Sequence, residues 1–429
     1  MISARVTEFR IPRDFRERAA GTSSGEHTVE LLGLAARAAW VRGDAAALSR
    51  TGRRLFRLPG AGPLAREVLA LGDLAAGRLG PPPVGTALRW AANPALWLPP
   101  QLVPELLGED FGTYRSCTAL LERLRSGEAA RMGARQAHRP GTGGRRAAER
   151  ALPATLGQLT ASAVALGRWW TATDHAVEGL ALARMGGQAV EAAGLLSQLA
   201  WIAAARGQAA DCRRLAAEAL ATVPGDCTLV TATVRWALGL LDLTLGYPGR
   251  ALDRLAPLAS SSGSTPVLLL ATADLVEAAV RAGRPVAAEP LLAQLDRWVE
   301  VAGPAWALAT TFHCRALLAD GDEAEICFQA ALEAGGGSVR PFAHARTRLD
   351  FGAWLRRQRR WVQAATQLRA ARETFERLGA SAWSERVRME LLASGAPAHW
   401  PAGGWMQSRD NRAGAYRGGG ARPAARGRC

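Results

Sequence analysis

The chain has 429 residues, 48% of them hydrophobic, and a formal net charge of +15. That apolar share excludes wholesale disorder, and the length suits two or three ordinary domains or one extended repeat array. The positive charge argues little for a phosphate-binding surface: all 53 Lys/Arg positions are Arg, with no Lys anywhere, which together with the Ala and Gly load is the mark of a GC-rich coding sequence.

In chain order, residues 1–26 are an N-terminal leader in which acids alternate with Arg and no apolar run occurs, so they do not form a signal peptide. Residues 27–125 are expected to hold the first helical hairpins. AARAAWVRGD (35–44) looks like a helix end and turn, and Pro81, Pro82, Pro83, Pro94, Pro99 and Pro100 interrupt regular helix further on. Residues 126–150 are a Gly/Arg-rich linker, with six Arg against one Glu over 131–150.

Residues 151–395 carry the strongest pattern. Turn signals recur around Gly167, Gly207, Gly246, Gly283, Gly321 and Arg359, at spacings of 40, 39, 37, 38 and 38 residues. This is the period of a helix-turn-helix solenoid unit, slightly longer than a tetratricopeptide repeat. The flanks have helical periodicity: Leu195, Leu199 and Ile202 before Gly207, then Cys212, Leu215 and Ala219 after it. The last unit shows one stripe of Trp361, Ala365, Leu368, Ala371, Phe375 and Leu378, closed by Gly379 where a helix C′ glycine belongs. The expected fold is therefore all-α, a tandem helix-hairpin (tetratricopeptide-like), right-handed superhelical array. Residues 396–429 contain no Leu, Ile or Val and six Arg against one Asp, so they are expected to be a disordered basic tail.

No stretch reads as chemistry. GTGGRR (141–146) lacks the phosphate-loop pattern and its lysine. His313, Cys314, Cys327 and His344 fit no zinc spacing, since adjacent residues on a helix point about 100° apart; they read as buried thiols and surface histidines. Asp320, Asp322, Glu323 and Glu325 open a helix, where carboxylates favour the dipole. The cluster Arg356, Arg357, Arg359 and Arg360 with Trp354 and Trp361 could grip phosphate and stack bases, but reads better as a solvated turn whose tryptophans belong to the core. The six cysteines form no CxxC pair and read as core residues in a reducing compartment. The apolar runs are too short to span a bilayer. No catalytic, cofactor, metal or DNA-contacting residue is assigned.

The segment LDFGAWLRRQRRWVQAATQLRAARETFERLGASAWSERVRMELLASG (349–395) resembles the final helical hairpins of large ATP-binding, MalT-like LuxR-family transcriptional regulators, through its LRRxRR turn, FERLGA end and WxER helix start. LGRWWTATDHAVEGLALARMGGQ (166–188) and LAWIAAARGQAADCRRLAAEAL (199–220) fit the same array. The resemblance implies a bacterial, cytoplasmic sensory and protein-interaction arm that couples a protein partner or small-molecule inducer to self-association and transcription. Neither the family's phosphate loop nor its helix-turn-helix is found, so the chain is expected to be a truncated regulator without ATPase or DNA-binding domains, without cofactor, not an enzyme, and without specific nucleic-acid or membrane binding of its own. The alternative is a stand-alone tetratricopeptide-like adaptor.

Overall fold

A computed structural model describes residues 24–79, 110–125, 142–223, 227–261, 263–336 and 340–393. The expected proline interruption, the first part of the 126–150 linker, the basic tail and most of the leader lie outside the described residues.

The described chain is helical, with no strand among the described residues. An N-terminal group comprises α1 (Ser24–Val41), α2 (Ala45–Leu55) and α3 (Gly62–Ala75). Then α4 (Asp110–Arg125) packs against α5 (Thr142–Ala165), whose first turns occupy the stretch expected as the end of the linker. The array continues with α6 (Trp169–Met185), α7 (Ala189–Arg206), α8 (Ala209–Thr222), α9 (Thr228–Thr244), α10 (Pro248–Leu255) and the short α11 (Pro257–Ser260). It ends with α12 (Thr265–Arg281), a 3-10 turn (Pro285–Ala288), α13 (Glu289–Ala302), α14 (Ala305–Leu318), α15 (Gly321–Gly336), α16 (Pro341–Arg357), α17 (Trp361–Leu378) and α18 (Ser381–Ala393). Successive helices pack as neighbouring pairs, α5 with α6, α7 with α8 and so on to α16 with α17.

One turn chemistry generates this repetition. The six residues at the expected turns all have left-handed backbones: Gly167 (φ 71°), Gly207 (80°), Gly246 (83°), Gly283 (71°), Gly321 (58°) and Arg359 (59°). At Gly167, Gly207, Gly246, Gly283 and Arg359 the next amide reaches back five residues, as in Arg168 N–H to Ala163 O (2.8 Å) and Arg360 N–H to Leu355 O (2.9 Å). This closes the orphan carbonyls at the helix end and reverses the chain. Arg359 is the single non-glycine residue with positive φ among those described.

The predicted stripes are buried, with Leu195, Ile202, Cys212, Ala219, Leu368, Ala371 and Phe375 at 2% exposure or less. Each fully buried large apolar side chain contributes about 1.5–3 kcal/mol. Small residues set the helix spacing: a Cβ on Gly239 of α9 would lie 2.4 Å from the Leu255 side chain of α10. Trp361 departs from expectation. It is 45% exposed and Val362 82%, so the first turn of α17 is left uncovered and the apolar stripe begins at Ala364 and Ala365.

The array also meets itself. Trp169 of α6 lies 5.1 Å from Phe342 of α16, and Ser381 Oγ of α18 donates to Arg206 O at the end of α7 (3.4 Å). One core therefore joins α6–α9 to α16–α18 across the intervening residues 245–340. The N-terminal group seals the other side, sharing a core with α9, α10, α12, α13 and α14. There the Gly43 and Gly263 backbones touch, and Arg37 pairs with Glu191.

Candidate functional site

The first helix of each pair turns one face inward, and the repeat places equivalent residues on it at fixed intervals. Gln198, Trp236, Asp274, His313 and Asp350 follow one another at spacings of 38, 38, 39 and 37 residues. On α9 and α12 they bond directly: Trp236 Nε1 donates to Asp274 Oδ2 at 2.6 Å. On α14 and α16, His313 Nε2 lies 3.0 Å from Asp350 Oδ2. Because a carboxylate only accepts, the imidazole proton of that bond sits on Nε2.

Two arginines from the end of the array complete a continuous chain. Arg346 of α16 donates from Nη1 to Asp274 Oδ1 and from Nη2 to Glu277 Oε2, the latter at 2.6 Å. Arg386 of α18 donates to Glu277 Oε1 (2.7 Å) and Asp350 Oδ1 (3.1 Å). Arg281 adds a bond to Glu277 one helical turn away (2.9 Å). Asp274, Glu277 and Arg346 are 2%, 1% and 6% exposed, so these charges are out of water and depend on one another. Burial pushes the Glu277 carboxyl up, yet Arg386, Arg346 and Arg281 together hold it well below the ordinary range. Burial likewise works against the Arg346 charge, and Asp274 and Glu277 overcome it. The chain of bonds ties α9, α12, α14, α16 and α18 into one unit.

Beside this chain lies a cavity of about 160 Å³ among the inward faces of α5, α7, α9, α12, α14, α15 and α16. Trp201, Trp236, Trp306 and Phe342 form its aromatic walls, with alanines between them. Trp201 packs against Trp236 at 5.5 Å and against Phe342 at 6.0 Å, both edge-on. Asp274, His313 and Arg346 belong to both the ionic chain and the cavity wall. His344 also faces the cavity, and burial, with Arg348 adding to it, lowers its pKa, which favours the neutral ring.

The residues singled out by sequence fall elsewhere, with two exceptions. His313, expected on the surface, is 4% exposed and hydrogen-bonded to Asp350, since its partner lies on the next repeat rather than nearby in sequence. His344 lines the cavity. Cys314 and Cys327 are buried thiols, Cys314 pushed up to about 12 by burial. Among the described residues no group of three or more His, Cys, Asp or Glu could hold a metal ion. Asp322 and Glu323 sit in the first turn of α15, and Glu325 takes up Arg360 at 2.5 Å. Of the basic turn, Arg356 pairs with Glu390 (2.7 Å), and Trp354 is buried while Trp361 is exposed. Gly141 is outside the described residues, and Thr142 onwards is helix. No helix among the described residues is long and apolar enough to cross a membrane. The ionic chain itself was missed, and its signal was the 37–39-residue recurrence of polar residues at one inward register. Comparisons with protein-family models and with curated proteins find no match for this chain.

Proposed function

We propose that the chain is the sensory and interaction arm of a LuxR-type transcriptional regulator, built as a right-handed, tetratricopeptide-like superhelix that takes up a small-molecule inducer on its inner face. The observation that carries this reading is the tryptophan-walled cavity set where the first helices of successive hairpins converge. The hairpin period of 37–40 residues and the repeated left-handed turn support the superhelix. The arm binds rather than catalyses. Asp274, the carboxylate in the cavity wall, is held on both oxygens by Arg346 and Trp236, and is not available as a general base. The buried cysteines Cys117, Cys212, Cys314 and Cys327 form no disulfide, which suits a reducing cytoplasm.

The test is a fusion of the full chain to a LuxR-type helix-turn-helix, read out on a promoter carrying that helix-turn-helix's operator. A several-fold change in reporter output on adding metabolite extract from a GC-rich bacterium is expected. An output that is the same with and without extract, from a fusion shown to be helical and to bind the operator, would overturn the reading.

A further inference from the structure

The cavity's chemistry restricts what it can accept. Its wall is mostly aromatic and aliphatic, and most of its polar groups are already engaged, while Gln198 Oε1, Trp201 Nε1 and Arg346 Nε are buried without a hydrogen-bond partner. Both Asp274 oxygens and both Arg346 terminal nitrogens are bonded, and His313 is held by Asp350. The hydroxyls of Thr233, Thr310 and Thr347 donate to carbonyls of their own helices at 2.8, 2.7 and 3.3 Å. A polyhydroxyl ligand would thus leave most of its hydroxyls without partners, which disfavours sugars. Aromatic walls can attract cations, but here that role is filled from within: the Arg340 guanidinium lies 4.5 Å from the Trp306 ring centroid and Arg346 lies 5.7 Å from that of Phe342. An incoming cation would meet two arginines, and the Arg346 guanidinium could take up an incoming anion only by leaving its carboxylates and breaking the ionic chain. The volume compares with that of a protein cavity that holds a benzene-sized ring, roughly 150 Å³.

We infer that the cavity is a site for an uncharged, planar aromatic molecule of one or two rings, packed edge-on and face-on against Trp201, Trp236, Trp306 and Phe342. This deepens the reading of the chain as a ligand-sensing arm and rests on it. Because Asp274, His313 and Arg346 are at once wall and ionic chain, such a ligand packs against the bonds that hold α16 and α18 onto α12, and its binding favours the closed array.

Titration calorimetry on the full chain with three probes sharing one ring system tests this: indole (uncharged), indole-3-acetate (anion) and tryptamine (cation), with glucose as a fourth. Indole is expected to bind at one saturable site and raise the melting temperature. The two charged analogues should bind at least tenfold more weakly, and glucose should give no heat. Ala309→Phe, which fills the cavity from α14, should abolish indole binding without lowering the melting temperature of the free chain. Trp201→Leu, which removes one wall, should weaken binding about tenfold and guards against misfolding of the first variant. Equal binding of indole and either charged analogue, no indole binding, or indole binding unchanged in both folded variants would overturn the proposal. Failure of indole with a responsive reporter fusion removes only the ligand class, whereas an unresponsive fusion removes the sensory arm itself.

Discussion

Arg346→Met probes the ionic chain at its most buried point. The substitution keeps an unbranched stem of similar reach and removes both charge-assisted bonds, to Asp274 and to Glu277, together with the stacking on Trp383 at 4.9 Å. Glu277 retains Arg281 and Arg386, but Asp274 is left with Trp236 alone. Breaking a buried pair by removing one partner costs about 3–5 kcal/mol, because a charge stays behind without compensation. Adding Asp274→Asn neutralises that orphan while keeping an acceptor for Trp236, so the double variant should regain about 1–2 kcal/mol. Urea unfolding followed by far-UV circular dichroism at pH 7 measures both. A loss of 3–5 kcal/mol corresponds to a midpoint shift of about 1 M or more. The pH dependence carries the same signature. Glu277 is held well below its ordinary 4.5, so its stabilising contribution is complete above that value and is lost as pH falls from there towards its folded pKa. Arg346→Met removes part of that depression, and the variant should lose less stability than the parent between pH 5 and pH 3. A cost under 1 kcal/mol, or a double variant weaker than the single by the full cost of Asp274→Asn, would refute the coupling.

Three further outcomes are expected. Arg359→Gly should raise stability by about 0.5–1 kcal/mol, since the left-handed backbone at φ 59° strains a side chain more than glycine costs in chain entropy; a lower melting temperature would contradict it. Gly239→Val should cost about 1–3 kcal/mol by urea unfolding, because its Cβ would start 2.4 Å from fully buried Leu255 and the branches would add to the overlap. Cys117, Cys212 and Cys314, each pushed up to about 12 by burial, should resist iodoacetamide at pH 8 in the native chain and react in urea, as read by peptide mapping; rapid native labelling would show that these helices open.

Local features of the fold were legible because they are written within one helix or one turn. The period of the turns, the stripe from Ala365 to Leu378 and the C′ glycine at 379 each follow from backbone conformation and a 3.6-residue repeat, and all are present. Trp361 was misread because periodicity gives a direction around the helix but not whether a neighbour extends far enough to cover its first turn. His313 was misread for a different reason. Its burial depends on Asp350, 37 residues on, and only the stacking of α14 on α16 makes them partners. The closure of the array is further removed from sequence still, since Arg386 and Glu277 are 109 residues apart and nothing local demands that they meet.

That closure sets the energy scale on which a ligand can act. A purely local solenoid transmits a perturbation from one hairpin to the next, each interface absorbing part of it. Here α16 and α18 are held directly to α12 by Arg346 and Arg386, so a change at the cavity wall reaches the end of the array in a single step. A ligand at a hundred times its dissociation constant stabilises the form it binds by about 2.7 kcal/mol. The loss of Arg346 is worth about 3–5 kcal/mol. The two quantities are of one order, so occupancy of the cavity can shift an opening equilibrium governed by this ionic chain and could not shift one governed by the whole core shared by α6–α9 and α16–α18. On the proposed reading of the chain as a ligand-sensing arm, the buried ionic chain is the device that would carry the signal, with the aromatic cavity as its input and the attachment of α18 as its output.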